Sequence, residues 1–288
     1  MDMLQKEALE QFISSALAED IGSGDHSTLA SIPAGVRGTA QLKIKENGIL
    51  AGMEVAEAVF RHLDPQMQFK PFKKDGDEMK AGERAFEVEA SVRTLLMAER
   101  LVLNCMQRMS GIASLTRRYT DKLKSYRTKV LDTRKTTPNF RMLEKEAVRI
   151  GGGVNHRIGL YDMIMLKDNH IDFSGGITPA VNAVVDYLAQ HGLNLKIEVE
   201  ARSLADVQEI LSVGQVHRIM LDNFTPEQIP PALELIQGKY ETEASGGITL
   251  ENVEAYARTG VDFVSVGAII HHAVSLDLSL KAVIHPHK

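Results

Sequence analysis

Arg134 and Lys135 stand side by side in VLDTRKTTP, residues 130–138, where an apolar run reading as a buried strand gives way to charge. Two adjacent cations at the end of a core strand repel each other unless something negative meets them. The pattern recurs at later strand ends: Lys167-Asp168-Asn169-His170, Glu200, Asp222-Asn223, Ser245-Gly246-Gly247 and Gly267. Arg134 and Lys135 suit an anion, and Arg157 suits a bidentate grip on a carboxylate or phosphate. His156 could donate to the same anion or act as acid or base. Lys167 could form a Schiff base or clamp an anion. Glu200 and Asp222 could stabilise a developing positive charge, hold ribose hydroxyls or bind Mg²⁺ through water. With no histidine between them they make a poor zinc site and a passable magnesium one. In EASGGITLENV, Ser245, Gly246 and Gly247 let backbone N–H groups approach a phosphate shortly before a helix, with Gly267 as the adjoining half.

Composition narrows the field. The chain has 288 residues, 44% hydrophobic and 25% charged, as in a water-soluble globular protein. Its net charge of −5 argues against a nucleic-acid binder of the simple basic kind. Residues 117–167 nevertheless carry 13 Lys or Arg against 5 Asp or Glu, a positive block suited to a focused anion site. The one cysteine, Cys105, lies in an apolar helical run and reads as a buried, inert thiol, so there is no disulfide framework. A reducing, cytoplasmic setting fits. The acidic, amphipathic start MDMLQKEALEQF is unlike a signal peptide, and no apolar run reaches membrane-spanning length.

Two grammars position these residues. The first third reads as α+β. Leu4, Ala8, Phe12 and Ala16 with Leu9, Ile13 and Leu17 stripe a helix over 3–19, ended by Gly22 and Gly24. Residues 18–28 read as that helix's end and a turn, with His26 on the surface. VRGTAQLKIKE alternates as a strand with one wet face, EVAEAVFRHL is a helix, and MQFKPF and RAFEVEAS alternate again. Val92 to about Leu123 is helical, continuous or broken at Gly111; Arg100 within it either snorkels from the edge of the core, the preferred reading, or points into a cleft. After Lys129 short apolar strands alternate with helices, which predicts parallel strands and crossover helices. Strand ends at Glu200, Asp222, Ser245 and Gly267 step by 22, 23 and 22 residues. Even steps suit a barrel, with a doubly wound sheet as the alternative. Six strands, or seven if GGVNHR is one, in roughly 160 residues are too few for a closed eight-stranded barrel. The fold class expected is therefore α/β, an α+β N-terminal part followed by an incomplete six- or seven-stranded α/β barrel. Parallel strands place their carboxyl ends on one face, which would gather the polar strand ends around one mouth.

DTRKTTP, LEKEAVRIGGGVNHRIGLYDMIMLKDNHI, IEVEA, IMLDN, EASGGI and SVGA, together with EDIGSGD and ERLVLNCMQRMSGIA earlier on, resemble the nicotinate-nucleotide pyrophosphorylase family, also called decarboxylating quinolinate phosphoribosyltransferase. The resemblance spans nearly the whole chain. It implies an N-terminal α/β sandwich domain over 1–112, joined by 275–288, and a barrel over 113–274. It also implies a homodimer or a multiple of it, with each site completed by a neighbouring subunit. The implied reaction joins quinolinate to phosphoribosyl pyrophosphate with Mg²⁺, giving nicotinate mononucleotide, pyrophosphate and CO₂ in NAD biosynthesis. By position, Arg134, Lys135, His156, Arg157 and Lys167 match the family's anion-binding residues, and Arg100 an arginine reaching across the dimer interface, which replaces the snorkelling reading. Glu200 and Asp222 match the acidic pair near ribose and metal; Ser245, Gly246, Gly247 and Gly267 match the phosphate cradle. Lys135, Lys167, Glu200 and Asp222 are the expected catalytic set. Asn139 stands where the family commonly has Gly, and Glu146 where an aromatic often follows LEK. The competing functions are a Schiff-base aldolase on the same barrel through Lys167, and an anion sensor without turnover.

Overall fold

The computed structural model describes residues 3–283; of the expected joining segment 275–288, residues 284–288 lie outside them, as do the side chains of residues 1–5, including Leu4. The chain divides into two compact units, one of residues 1–117, 137–152 and 272–288, the other of residues 118–136 and 153–271.

The first unit opens with α1 (Met3–Ile21) and α2 (His26–Ser31), then β1 (Arg37–Ile44), β2 (Gly48–Ile49), α3 (Met53–Leu63), β3 (Gln68–Pro71), β4 (Glu78–Met79), β5 (Arg84–Ser91) and the long helix α4 (Val92–Lys122). Residues 18–28 hold one more element than expected, because the Asp25 carboxylate accepts from the Thr28 amide and starts α2 at His26. On α1 the buried stripe is Leu9, Ile13 and Leu17, one turn apart. Ala40, Leu42 and Ile44 of β1 and Phe86, Val88 and Ala90 of β5 turn alternate side chains inward. Phe86 packs edge-on against Phe60 of α3 at 6.1 Å between ring centroids.

Of the two alternatives at Gly111 the continuous one holds, and α4 runs through it as a single helix. A Cβ at Gly111 would fall 2.0 Å from the Val274 carbonyl oxygen. The glycine is there to admit another backbone, so its helix cost is offset by close packing rather than expressed as a kink.

The second unit contributes β6 (Lys129–Leu131). After α5 (Arg141–Ile150), which belongs to the first unit, come β7 (Ile164–Leu166), α6 (Asp168–Phe173), α7 (Ile177–His191), β8 (Ile197–Ala201), α8 (Leu204–Val213), β9 (Arg218–Asp222), α9 (Ile229–Ile236), β10 (Glu241–Ser245), α10 (Val253–Arg258), β11 (Phe263–Ser265) and α11 (Ala268–His271). Its sheet is ordered β6-β11-β10-β9-β8-β7, with every pairing parallel. This is the six-stranded incomplete α/β barrel; β6 and β7 are its unjoined edges. GGVNHR is not a seventh strand: it gives one isolated bridge, Val154 to Leu131. All five residues of β8 are buried, as a strand covered on both faces requires. The chain then returns to the first unit as β12 (Leu278–Val283), which pairs antiparallel with β1 in a sheet ordered β12-β1-β5-β3.

Candidate active site

Side chains two apart on a strand share a face. Glu198 and Glu200 on β8, Arg218 and Asp222 on β9, and Glu243 and Ser245 on β10 therefore form tiers along the strands. In register, Glu198 lies beside Arg218, Glu200 and Glu243 flank Met220, and Ser245 lies beside Asp222.

At the carboxyl ends, Asp222 is held from both sides. Its Oδ1 accepts from Ser245 Oγ at 2.5 Å and its Oδ2 from Asn223 Nδ2 at 2.6 Å. Asn223 adopts φ 57° and Gly246 φ 88°. A Cβ on Gly246 would lie 2.2 Å from Asn223 Oδ1, so the residue must be glycine for the Asp222–Asn223 pair to keep its place. Gly247 has φ 62°, and its carbonyl accepts from Asn252 Nδ2 at 3.0 Å, which closes the loop ahead of α10. Glu200 is only 7% exposed. Burial, followed by repulsion from Asp222 and Asp168, pushes its carboxyl up to about 7, against the pull of Lys167. Lys167 itself is exposed at the entry to α6. Lys135 and His271 meet at Gly267, where a Cβ would lie 3.1 Å from Lys135 Cδ and 3.0 Å from His271 Nε2.

A second tier lies deeper in the barrel. Asp132, fully buried, accepts the His156 amide at 2.8 Å and so ties the end of β6 to the segment carrying His156. His156 Nε2 sits 3.0 Å from Glu198 Oε2 and 3.2 Å from Glu243 Oε2, and both carboxylates are fully buried. Arg218 Nη1 reaches Glu243 at 3.0 Å and Nη2 reaches Glu241 at 3.0 Å, while its guanidinium lies 4.3 Å over the Phe263 ring. Burial opposes charge on the His156 ring, but the two carboxylates overcome it and hold the ring at about 9. Burial likewise opposes charge on both acids. Glu243, gripped by His156 and Arg218, still falls below the usual range, whereas Glu198, with Glu243 beside it, is pushed up to about 7. Arg157 is lowered by burial and by the neighbouring Arg134 guanidinium, with Glu198 acting the other way. Arg134 Nη1 is buried with no hydrogen-bond partner, a donor in want of an acceptor.

The second unit thus brings together Lys167, Glu200, Asp222, Ser245 and Gly246; Lys135 with Gly267; and Arg134 with Arg157 beside the His156 cluster. Arg100 belongs to the first unit and is exposed on α4. Sequence reasoning missed Asp168 and Asn223 as partners of the acids, His271 at Gly267, and the whole Glu198–Glu243–Arg218 tier. The strict alternation of IEVEA did carry a signal, since it turns Glu198 to the same face as Glu200.

A barrel that is open along one edge and collects cations, paired acids and a glycine turn at the carboxyl ends of its strands defines an enzyme class. Such an enzyme handles phosphorylated anions by charge and position. The C-terminal domain description of quinolinate phosphoribosyl transferase matches residues 112–281, and its N-terminal domain description matches residues 25–110. The chloroplastic nicotinate-nucleotide pyrophosphorylase [carboxylating] of Arabidopsis thaliana is 44% identical over 95% of this chain and 82% of its own. The crystal structure of NadC from Streptococcus pyogenes superposes with a TM-score of 0.89 at 41% identity, covering 99% of this chain and 100% of that one. The nicotinate-nucleotide pyrophosphorylase structure from Francisella tularensis gives 0.88 at 39% identity, covering 96% of each. The chain belongs to the quinolinate phosphoribosyl transferase family.

Proposed function

We infer that the protein transfers phosphoribosyl from phosphoribosyl pyrophosphate to quinolinate with loss of CO₂, giving nicotinate mononucleotide and pyrophosphate. The observation that carries this reading is the convergence of Lys167, Glu200, Asp222, Ser245 and Gly246 on one end of a parallel sheet in a chain of this family. The acceptor brings two carboxylates and the donor a phosphate and a pyrophosphate, so the substrates repel until cations meet both. Arg134, Arg157, His156 and Lys167 suit the dicarboxylate. The orphaned Nη1 of Arg134 supports this, because a carboxylate would supply its missing acceptor. Ser245, Gly246, Gly247 and Gly267 suit the phosphate, with Lys135 beside Gly267. The ring nitrogen forms its bond to the ribose anomeric carbon as the bond to pyrophosphate breaks. Glu200 and Asp222 stabilise the positive charge that develops there. The resulting pyridinium accepts the electron pair left as the adjacent carboxylate departs as CO₂, and that carbon then takes up a proton. The residues act by positioning and charge, without a covalent enzyme intermediate.

Asp222 and Asp168 are close enough to Glu200 to repel its charge, and carboxylate oxygens of this kind suit a hard divalent cation, which would relieve that repulsion. Mg²⁺ entering with the donor would be held by Glu200 and Asp222 through water; when bound it supplies charge neutralisation of the pyrophosphate. The reading extends to a domain division at 1–112 with 275–288 against 113–274, and to a homodimer in which Arg100 of a neighbouring subunit completes each site. We place the protein in the cytoplasm; among the described residues no helix is long and apolar enough to cross a membrane.

Purified protein is given quinolinate, phosphoribosyl pyrophosphate and Mg²⁺, and pyrophosphate release is followed. Turnover dependent on both substrates is expected. Lys167→Ala should lose activity by at least about a hundredfold, and borohydride should trap no substrate adduct on the wild type. Absence of turnover, or a trapped adduct on Lys167, would overturn the reading.

A further inference from the structure

The buried tier below the strand ends has more charge than a barrel core needs. Glu198 and Glu243 are both 0% exposed and share one imidazole edge, so two carboxylates are packed together out of water. Such a pair persists only if cations compensate it. His156 and Arg218 supply two positive charges for two negative ones, and Arg218 is itself fixed by Glu241 and by stacking on Phe263. Replacing the whole set by aliphatic side chains would commonly cost nothing and often stabilise a fold, so stability is a weak reason to keep it. What lies against it is informative. Arg157 feels Glu198 and stands beside Arg134, so two guanidinium groups are held close together with negative charge next to them. His156, Glu198 and Glu243 present ligand atoms within 4.8 Å of one another and could ligate a metal. Arg218 already provides Glu243 with its counter-charge, which favours an ion network over a metal.

We propose that Glu198, and Glu243 fixed by Arg218, are positioning residues: they hold His156 between them, and Glu198 sets negative charge beside Arg157, so that these cations stand ready for the two carboxylates of the acceptor. The proposal rests on the reaction inferred above and deepens it. Assembling like charges before the substrate arrives costs energy, and counter-charges built into the barrel meet that cost in advance, which is preorganisation. With Arg134, Arg157 and His156 assigned to the acceptor in the reaction inferred above, the network serves the acceptor's side of the site. The donor's side is served by Asp222, Ser245 and the glycine turn, so the two substrates should respond differently to its loss.

The test uses steady-state kinetics on the full chain with Glu198→Gln, Glu243→Gln, His156→Gln and the double variant Glu198→Gln/His156→Gln, with thermal melting of each. Wild-type turnover establishes the reaction independently; its absence would sink the functional reading and leave nothing for the network to position. Given turnover, Glu198→Gln is expected to raise KM for quinolinate by about tenfold or more while KM for phosphoribosyl pyrophosphate stays within about twofold. Because Glu198 acts through His156, adding Glu198→Gln to His156→Gln should cost less than about twofold further. If Glu198→Gln does not fold, Glu243→Gln is read by the same split between substrates and paired with His156→Gln. Equal rises in both KM values, fully additive costs, or activity losses that only follow the melting temperature would overturn the proposal.

Discussion

At the scale of single residues, the site depends on contacts that tolerate no extra atom. Gly246 is the sharpest case, since its backbone lies in the left-handed region and its missing Cβ is the space that Asn223 Oδ1 occupies. Gly246→Ala should displace Asn223, loosen Asp222 and raise KM for phosphoribosyl pyrophosphate by about tenfold, with a stability loss of about 1–3 kcal/mol. Kinetics with each substrate varied in turn, alongside a urea melt, checks both. A rise confined to the quinolinate KM would contradict the assignment of this turn to the donor. Asn223 also shows why its role was hard to see beforehand: next to Asp222 it reads as one more polar loop residue, and only its positive φ and its place under Gly246 give it a purpose.

At the scale of elements, helix α3 has a borrowed cap. Gly52 provides no side chain, and Asp75 Oδ1 accepts the Met53 amide at 2.9 Å from another part of the chain. Burial pushes the Asp75 carboxyl up from 3.8 to about 6, outweighing the helix amides. A carboxyl whose folded pKa is raised favours folding when protonated, so its contribution is present below pH 3.8 and is lost as pH rises through about 6. Asp75→Asn keeps an acceptor oxygen and removes the charge. It should match wild type at pH 4 and exceed it above pH 7 by about 1–3 kcal/mol, as measured by urea unfolding across that range. A variant that is less stable at pH 8 would show that the charge on the helix end outweighs burial. Most elements were legible before the structure, because βα spacing and alternation are local: the ends of β8, β9 and β10 fall within a residue of expectation. What was not legible came from partners distant in sequence. Gly111 could read as a helix break because the backbone of Val274 is invisible from position 111. Asp75 could not be assigned to α3 beforehand because the amide it accepts, that of Met53, is over twenty positions away. Arg134 and Arg157 were recognised as cations, but the two acids beneath them were hidden inside runs that read as ordinary buried strand.

At the scale of the whole molecule, the inferred dimer makes a claim that can be tested by mixing. If Arg100 serves a neighbour's site while Lys167 serves its own, Arg100→Ala and Lys167→Ala proteins should each be inactive. Co-expression of the two should restore about a quarter of wild-type activity, since half of randomly paired dimers are mixed and each mixed dimer holds one intact site. No recovery in verified mixed dimers would mean that both residues act within one subunit. The route of the chain through its two units has a separate consequence. β12 lies against β1, yet more than 230 residues separate them. During synthesis the barrel segment is made while β1 still lacks its β12 neighbour, so the edge of Thr39 to Ile44 stays unpaired until β12 follows. The sheet of the first unit is therefore completed by a strand made after those of the barrel.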